Sequence, residues 1–347
     1  QASKRMNHLK RRLGRTKYHR LKAVVRIVVV LLLCVGVIGV AVWDHSRRNQ
    51  AGVKEAEDAE SEGVYYNGSR YQPRKDLETL LLIGEDKFLN QQEEESYVNT
   101  KQADFLLLLI MDKENGTCQV LQLNRDTMTQ IESYGVAGES AGTYEGQLAL
   151  AHTYGSGGQD SCRYQAKAVS NLLYGVSIDH FCSVTMDAVA VINDAVGGVS
   201  VQVMDDMTMV DPSFVQGETV TLEGEQALKY VRNRKELDDT TNLHRMERQR
   251  QYMQALYEKL MACVDGDAGF TAKLLLAVND YVTSDCSVTQ LQELADFLTA
   301  CDMPDIDTID GENVKGEEFM EFYPDEDQLR QYVMDHFYTK ENSTTGQ

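Results

Sequence analysis

The arginines of this sequence are the residues most ready for chemistry. Arg125, Asp126 and Thr127 follow directly on the apolar run 120–123, so they stand at a strand end, where open α/β sheets place ligands. Arg232 and Arg234 are two apart, and on an extended segment both guanidiniums project to one side. Arg245, Arg248, Gln249 and Tyr252 follow at helical spacing. A helix gathers them into one polar face opposite a stripe of Met246, Met253, Leu256 and Leu260. Planar forked donors suit phosphate oxygens, and several converging suit a pyrophosphate. The competing reading is ordinary ion pairing between these arginines and the many surface acids.

Two carboxylates form the second constellation. Asp86 lies just past an apolar run ending at Ile83, and Asp104 just before another starting at Phe105. If those runs are neighbouring strands, the two acids can share a site, and hard oxygen ligands of this kind hold Mg²⁺ against substrate phosphates. The plainer alternative is a turn cap at Asp86 and a strand start at Asp104. Other chemistries find no support. The chain has no G-x-x-x-x-G-K-[ST], no G-x-G-x-x-G and no G-x-S-x-G. His152 and Ser156 are four apart, but the glycine-flanked Ser156 reads as loop, and His180 and His336 read as isolated surface or core residues.

The elements that must position these residues begin with a membrane anchor. Residues 1–48 carry 12 Lys/Arg and one acid, about +11, so the remainder of a chain of net charge −20 is about −31. So acidic a domain repels a phosphodiester backbone, which excludes nucleic acid as its partner. Residues 27–43 are apolar, and 23–25 extend them around Arg26 to about 20 residues, enough to cross a ~30 Å hydrocarbon core. The basic residues before this run keep the N-terminus cytoplasmic and place the rest outside the cell. The h-region is too long for a cleaved signal peptide, and Ala41-Val42-Trp43 is a poor cleavage site. The expected layout is a cytoplasmic basic tail over 1–22, a signal-anchor helix over 23–43 and a polar stalk over 44–76. One domain follows over 77–340, then a disordered tail over 341–347. Six of the seven cysteines fall outside the membrane span, without a C-x-x-C pair or zinc spacing.

Within the domain, runs at 77–83, 105–111 and 120–123 read as buried strands, and 199–203 as another. Helical patterns cover 164–173, 187–196, 223–231, 245–261, 272–281, 288–300 and 325–337. Interleaved buried strands and helices indicate an α/β fold, a mixed central sheet with helices on both faces as an α/β/α sandwich.

Taken in order, these stretches resemble the LytR-CpsA-Psr family of cell-wall glycopolymer transferases. The matching stretches are Leu82-Ile83-Gly84-Glu85-Asp86, Ala103-Asp104, Leu123-Asn124-Arg125-Asp126-Thr127, 175–181, 193–199, 222–234 and 245–249. The resemblance runs from about residue 80 to 256, with a weaker C-terminal continuation. It implies a polyprenyl-pyrophosphate-linked glycan as donor, its lipid in an apolar tunnel, and a peptidoglycan hydroxyl as acceptor. It also implies that Arg125, Arg232, Arg234 and Arg245 hold the pyrophosphate, with Arg248 beside them. Asp86 and Asp104 would hold Mg²⁺ or Mn²⁺, Gln249 would support the site and Asp126 would orient Arg125. The layout implied is a single-pass protein of a Gram-positive-type cell membrane.

The sequence departs from the family pattern at Lys87, Lys101, Gln147, Ala149 and Asn242. Lysine for arginine keeps charge but loses the bidentate fork, and Asn242 could serve as an N-cap. Two other functions therefore remain open: a non-catalytic lipid-pyrophosphate or cell-wall binder, and a membrane-bound transcription regulator. The basic tail lacks a helix-turn-helix pattern, which disfavours the last.

Overall fold

The computed structural model describes residues 63–85, 101–135, 139–155, 157–233, 242–267, 269–287, 306–317 and 319–341, with 290, 293, 294 and 297 between. The expected basic tail, signal-anchor helix and C-terminal tail beyond residue 341 lie outside these residues, as do Asp86, Lys87, Ser156 and Arg234. No helix among the described residues is long and apolar enough to cross a membrane.

Residues 64–73 fall in the segment expected to be a solvated stalk, yet they fold as a hairpin. Strands β1 (Val64–Tyr66) and β2 (Ser69–Pro73) pair antiparallel around Asn67-Gly68. Both turn residues have positive φ, 46° and 74°. That is the geometry a type I′ turn requires and Asn-Gly adopts at least cost.

Three long strands follow. β3 (Leu77–Glu85), β4 (Ala103–Asp112) and β5 (Thr117–Leu123) form an antiparallel meander, with Leu80 opposite Leu109 and Leu106 opposite Leu123. Their near-continuous apolar sequences mark strands buried on both faces. Next come β6 (Met128–Tyr134) and β7 (Ser140–Gln147), a separate hairpin that no apolar run announced. A 3₁₀ turn at Leu148–Thr153 leads into α1 (Gln159–Leu172). Strand β8 (His180–Thr185) then pairs parallel with β3.

The chain continues through α2 (Ala188–Ala195), β9 (Val199–Gln202), β10 (Thr219–Leu222), α3 (Glu225–Arg232) and the long α4 (Leu243–Gly266). After α5 (Phe270–Val278) come β11 (Val282–Ser284), β12 (Ile306–Thr308), and the hairpin β13 (Gly311–Lys315) and β14 (Met320–Pro324). Helix α6 (Glu326–Phe337) and β15 (Tyr338–Lys340) end the described chain, and β15 pairs with β2.

The central sheet has the order β11-β8-β3-β4-β5-β12, with β12 parallel to β5 and β11 antiparallel to β8. It is mixed, as expected. Alternation sorts its side chains. Leu81, Ile83, Leu106, Leu108 and Leu121 pack against Val169 of α1 and Val333 of α6, while Leu80, Leu82, Leu107 and Leu109 face the side of Met253 on α4. Each such leucine contributes about 1.5–3 kcal/mol of burial. A second core joins α2, α3, α4 and α5 to β9 and β10. The sheet therefore fixes the ends of β3, β4 and β5 side by side. Those ends carry the expected site.

His180 is not isolated. Its Nε2 lies 3.2 Å from Glu78 Oε1 and its Nδ1 3.8 Å from Asp285 Oδ2. Hydrogen bonding to Asp285 first, then Cys286 and Glu78, raises the imidazole to about 12. The His180 hydrogen bond, helped by Lys113, holds Glu78 at about 2 against its burial. The stabilisation from His180 is full below its ordinary 6.5 and is lost as pH climbs through about 12, whereas that from Glu78 is full above 4.5 and is lost toward about 2. His180→Gln is expected to cost most stability between pH 4.5 and 6.5. Urea unfolding across pH measures this, and a pH-independent loss would contradict the pairing.

Candidate functional site

Arg125 stands two residues past the end of β5, and the sheet register delivers it to Asp104 at the start of β4. The two are ion-paired and buried, with Arg125 Nη1 on Asp104 Oδ1. The other Nη donates to Gln102 Oε1, a partner that no motif indicated. Asp126 Oδ1 lies 3.2 Å from Arg125 Nε, so Asp126 does stand where it can orient that guanidinium. Asp126 Oδ1 in turn accepts from Gln147 Nε2 at 3.0 Å, and the same amide donates to Met320 O at 2.7 Å. Gln147 thus ties the Arg125 segment to β14. A backbone bond from Phe322 N to Asp126 O, 2.9 Å, completes that tie.

Arg245, in the first turn of α4, reaches the same acid from the other side. Its Nη1 is 3.5 Å from Asp104 Oδ2 and its Nη2 donates to Asp104 O at 3.3 Å. Arg125 and Arg245 therefore converge on one buried carboxylate, across 141 residues of chain in the second case. Asp104 sits where β3 and β4 shift register between Gly84 and Glu85. The strands that precede Asp86 and follow Asp104 are thus neighbours, as sharing a site demands.

The remaining candidates take different places. Arg232 is the last residue of α3, helical rather than extended. The expected extended presentation with Arg234 therefore does not hold for Arg232. Arg248 is wholly buried, and its bonds go elsewhere than Asp104: Nε donates to Tyr230 O at 3.0 Å, Nη1 to Asp205 Oδ2 at 2.7 Å and Nη2 to Asn233 O. Gln249 Nε2 donates to Val231 O at 3.3 Å. The carbonyls that a helix C-terminus leaves orphaned are here satisfied by two side chains of α4. Arg248 and Gln249 hold the end of α3, and with it Arg232, against the site. Burial pushes the Asp205 carboxyl up, but hydrogen bonds from His244 and Arg248 outweigh it and keep it below its ordinary value.

The polar face expected on α4 is enclosed rather than open to solvent. Arg245, Arg248, Gln249 and Tyr252 are all buried, because α4 is covered on more than one side. Asn242 occupies the N-cap position of α4 but does not cap it. Its backbone is helical and its Nδ2 donates to Asn124 Oδ1 at 2.9 Å.

Beside the arginines an apolar cavity of about 130 Å³ opens between β3, β8 and α4. Gly84, Phe105, Met186, Gln249, Tyr252 and Met253 are among the residues that line it. Gly84 is needed there, since a Cβ would come within 2.8 Å of Phe105 Cβ. Under the site lie buried Glu85, His152 and Cys162, which the sequence did not connect. His152 Nδ1 is 2.8 Å from Lys101 O, and its Nε2 is 3.7 Å from Glu85 Oε1 and 3.8 Å from Cys162 Sγ. Burial lowers the imidazole despite Glu85, and raises the thiol. These groups join the end of β3, the 3₁₀ turn and α1 beneath Asp104.

Arg248→Ala removes one partner of a buried pair and uncaps α3, so a loss of about 3–5 kcal/mol is expected. Arg248→Lys is expected to recover only part, because one ammonium cannot span three acceptors. Denaturant unfolding of the two variants measures both. Equal stability of Arg248→Ala and the unaltered chain would contradict the capping role.

Known proteins resemble this chain in sequence and in fold. TagU of Halalkalibacterium halodurans, a polyisoprenyl-teichoic acid–peptidoglycan teichoic acid transferase, is 26% identical over 280 residues, covering 79% of this chain and 83% of the relative. Bacillus subtilis TagV, described as the same kind of transferase, is 32% identical over 165 residues, or 46% of this chain and 39% of that one. The crystal structure of gbs0355 from Streptococcus agalactiae superposes with a TM-score of 0.60 at 20% identity, over 75% of this chain and 88% of that one, and so shares the fold. The model of the LytR_cpsA_psr family matches residues 43–340, and the chain belongs to that family.

Proposed function

We propose that this protein transfers a glycopolymer from a polyprenyl-pyrophosphate carrier to peptidoglycan as a phosphodiester. The observation that carries the reading is Arg125 and Arg245 on one buried carboxylate beside an apolar cavity. Adjacent cationic and apolar sites suit an amphiphile with an anionic head. The transferase names of the relatives agree with this assignment.

In the reaction, a peptidoglycan hydroxyl oxygen bonds to the sugar-proximal phosphorus. The bond from that phosphorus to the bridging oxygen breaks, and polyprenyl phosphate leaves carrying the hydroxyl proton. Charge develops on the phosphate oxygens, and preorganised guanidiniums stabilise it. Arg125 and Arg245 supply that stabilisation, with Arg232 presented by the end of α3 and Arg234 two residues on. Asp126 and Gln147 hold the orientation of Arg125; Gln249 and Arg248 hold that of α3. Asp104 keeps both arginines together until phosphate draws them away. The apolar cavity takes the first part of the lipid chain.

A divalent cation fits the donor chemistry. Asp104 is a hard oxygen ligand at the strand end, and the guanidiniums now on it are the groups that a pyrophosphate would engage. Asp104 with Asp86 would hold Mg²⁺ or Mn²⁺, which would neutralise phosphate charge. The apolar run 27–43 would anchor the chain in a Gram-positive-type cell membrane, with the domain outside.

The test uses the full chain with a polyprenyl-pyrophosphate oligosaccharide, peptidoglycan fragments and Mg²⁺, following release of lipid phosphate and glycan coupling. Arg125→Ala is expected to lower turnover by about 10²–10³-fold. Met253→Trp, which fills the apolar cavity, is expected to raise the donor KM, and chelation of Mg²⁺ to suppress coupling. Donor binding without turnover, in conditions where a TagU relative is active, would replace the transferase with the non-catalytic binder.

A further inference from the structure

A second cavity, about 380 Å³, lies on the other side of the arginines, between α4, the ends of β5 and β12, and the β13–β14 hairpin. Gln122, Asn124, Leu243, Arg250, Asp310 and Phe322 are among its lining residues. Leu243 and Arg250 stand seven apart on α4, on a stripe adjacent to that of Arg245, Gln249 and Tyr252. One helix therefore walls both cavities. The partition between them is one side-chain pair thick: Gln122 Nε2 donates to Gln249 Oε1 at 3.4 Å, and Gln249 lines the apolar cavity.

We propose that this second cavity binds the acceptor, through an uncharged N-acetylated sugar of the peptidoglycan strand. The proposal rests on the transferase reading above. Phosphoryl transfer needs the attacking and leaving oxygens roughly in line across phosphorus. With the lipid in the apolar cavity and the phosphates on Arg125 and Arg245, the leaving oxygen faces the lipid side. The attacking hydroxyl must then arrive from the opposite side, and the second cavity borders it, since Asn124 lines the cavity and precedes Arg125.

The chemistry of the walls selects the ligand class. Phe322 and Leu243 offer apolar surface to the C–H face of a sugar ring. Arg250 stands against Glu247 and Asp310, so the lining is net acidic and recruits no polyanion. Asn124 and Asn242 are 5% and 1% exposed and share one hydrogen bond, Asn242 Nδ2 to Asn124 Oδ1. Among the described residues, Asn124 Nδ2 and Asn242 Oδ1 have no hydrogen-bond partner. Buried polar atoms left in this state are costly. Asn124 lines the cavity, and its unused Nδ2 donor complements the C=O of an acetamido group.

The test is kinetic and direct. Full-length protein in nanodiscs is supplied with the lipid-pyrophosphate oligosaccharide and a peptide-free glycan-strand fragment, either N-acetylated or de-N-acetylated. Leu243→Trp, at the exposed rim, is expected to raise the acceptor KM about tenfold or more. The donor KM and the release of lipid phosphate to water should stay unchanged. Arg250→Ala should act in the same direction should the tryptophan variant fail to fold. The unaltered protein should prefer the N-acetylated fragment, and Leu243→Trp should lose that preference. Calorimetric titration of the fragment without donor should show binding that Leu243→Trp abolishes. An unchanged acceptor KM in both variants, or fragment binding indifferent to Leu243→Trp, would overturn the proposal. Absence of any lipid phosphate release would instead remove the transferase reading, and the titration would still decide whether the cavity takes glycan.

Discussion

One buried carboxylate organises this protein. Asp104 stands at the start of a central strand with Arg125 on one oxygen and Arg245 close to the other. Burying a carboxylate and two guanidiniums costs several kcal/mol per ion before their mutual attraction is counted, so the cluster is tolerated only where the surroundings fix its geometry. The sheet brings β5 beside β4, and α4 crosses over both. Asp126, Gln147 and the carbonyl network of Arg248 hold the periphery. A cluster of opposite charges with little exposure is a poor source of stability. It is a good store of cationic groups that an anion can claim.

Division of labour among the arginines follows from depth. Arg125 and Arg245 meet a side-chain carboxylate, which in the proposed reaction phosphate would displace. Arg248 meets main-chain carbonyls and Asp205, which nothing in the site can displace. Its role is therefore to fix the end of α3 where Arg232 stands. The same helix α4 supplies both kinds of arginine one turn apart, and this explains why it is buried on adjacent stripes.

Much of this was legible in sequence. The apolar runs 80–83, 105–111 and 120–123 have no other explanation than doubly buried strands, and they appear as β3, β4 and β5. The pairing of the strands beside Asp86 and Asp104 stood only as a condition, because apolar runs do not reveal the strand order of a sheet. Strands β6, β7, β13 and β14 were not legible, because their faces are largely polar and stability comes from hairpin pairing. The β1–β2 hairpin carried a readable signal in Asn67-Gly68, obscured by the charged stretch before it. Arg248 and its neighbours read as a solvated polar face because helical spacing shows which residues share a side, not what covers it. Asp205 is 43 residues from Arg248 in a segment without a motif, so only the fold could join them.

The most direct test of the central claim is a structure of the protein with a polyprenyl pyrophosphate bound. The account predicts phosphate oxygens on Arg125 and Arg245, both drawn off Asp104, with the first isoprene units along Gly84, Tyr252 and Met253. A head group seated elsewhere, with the Asp104 cluster intact and the apolar cavity empty of lipid, would contradict it.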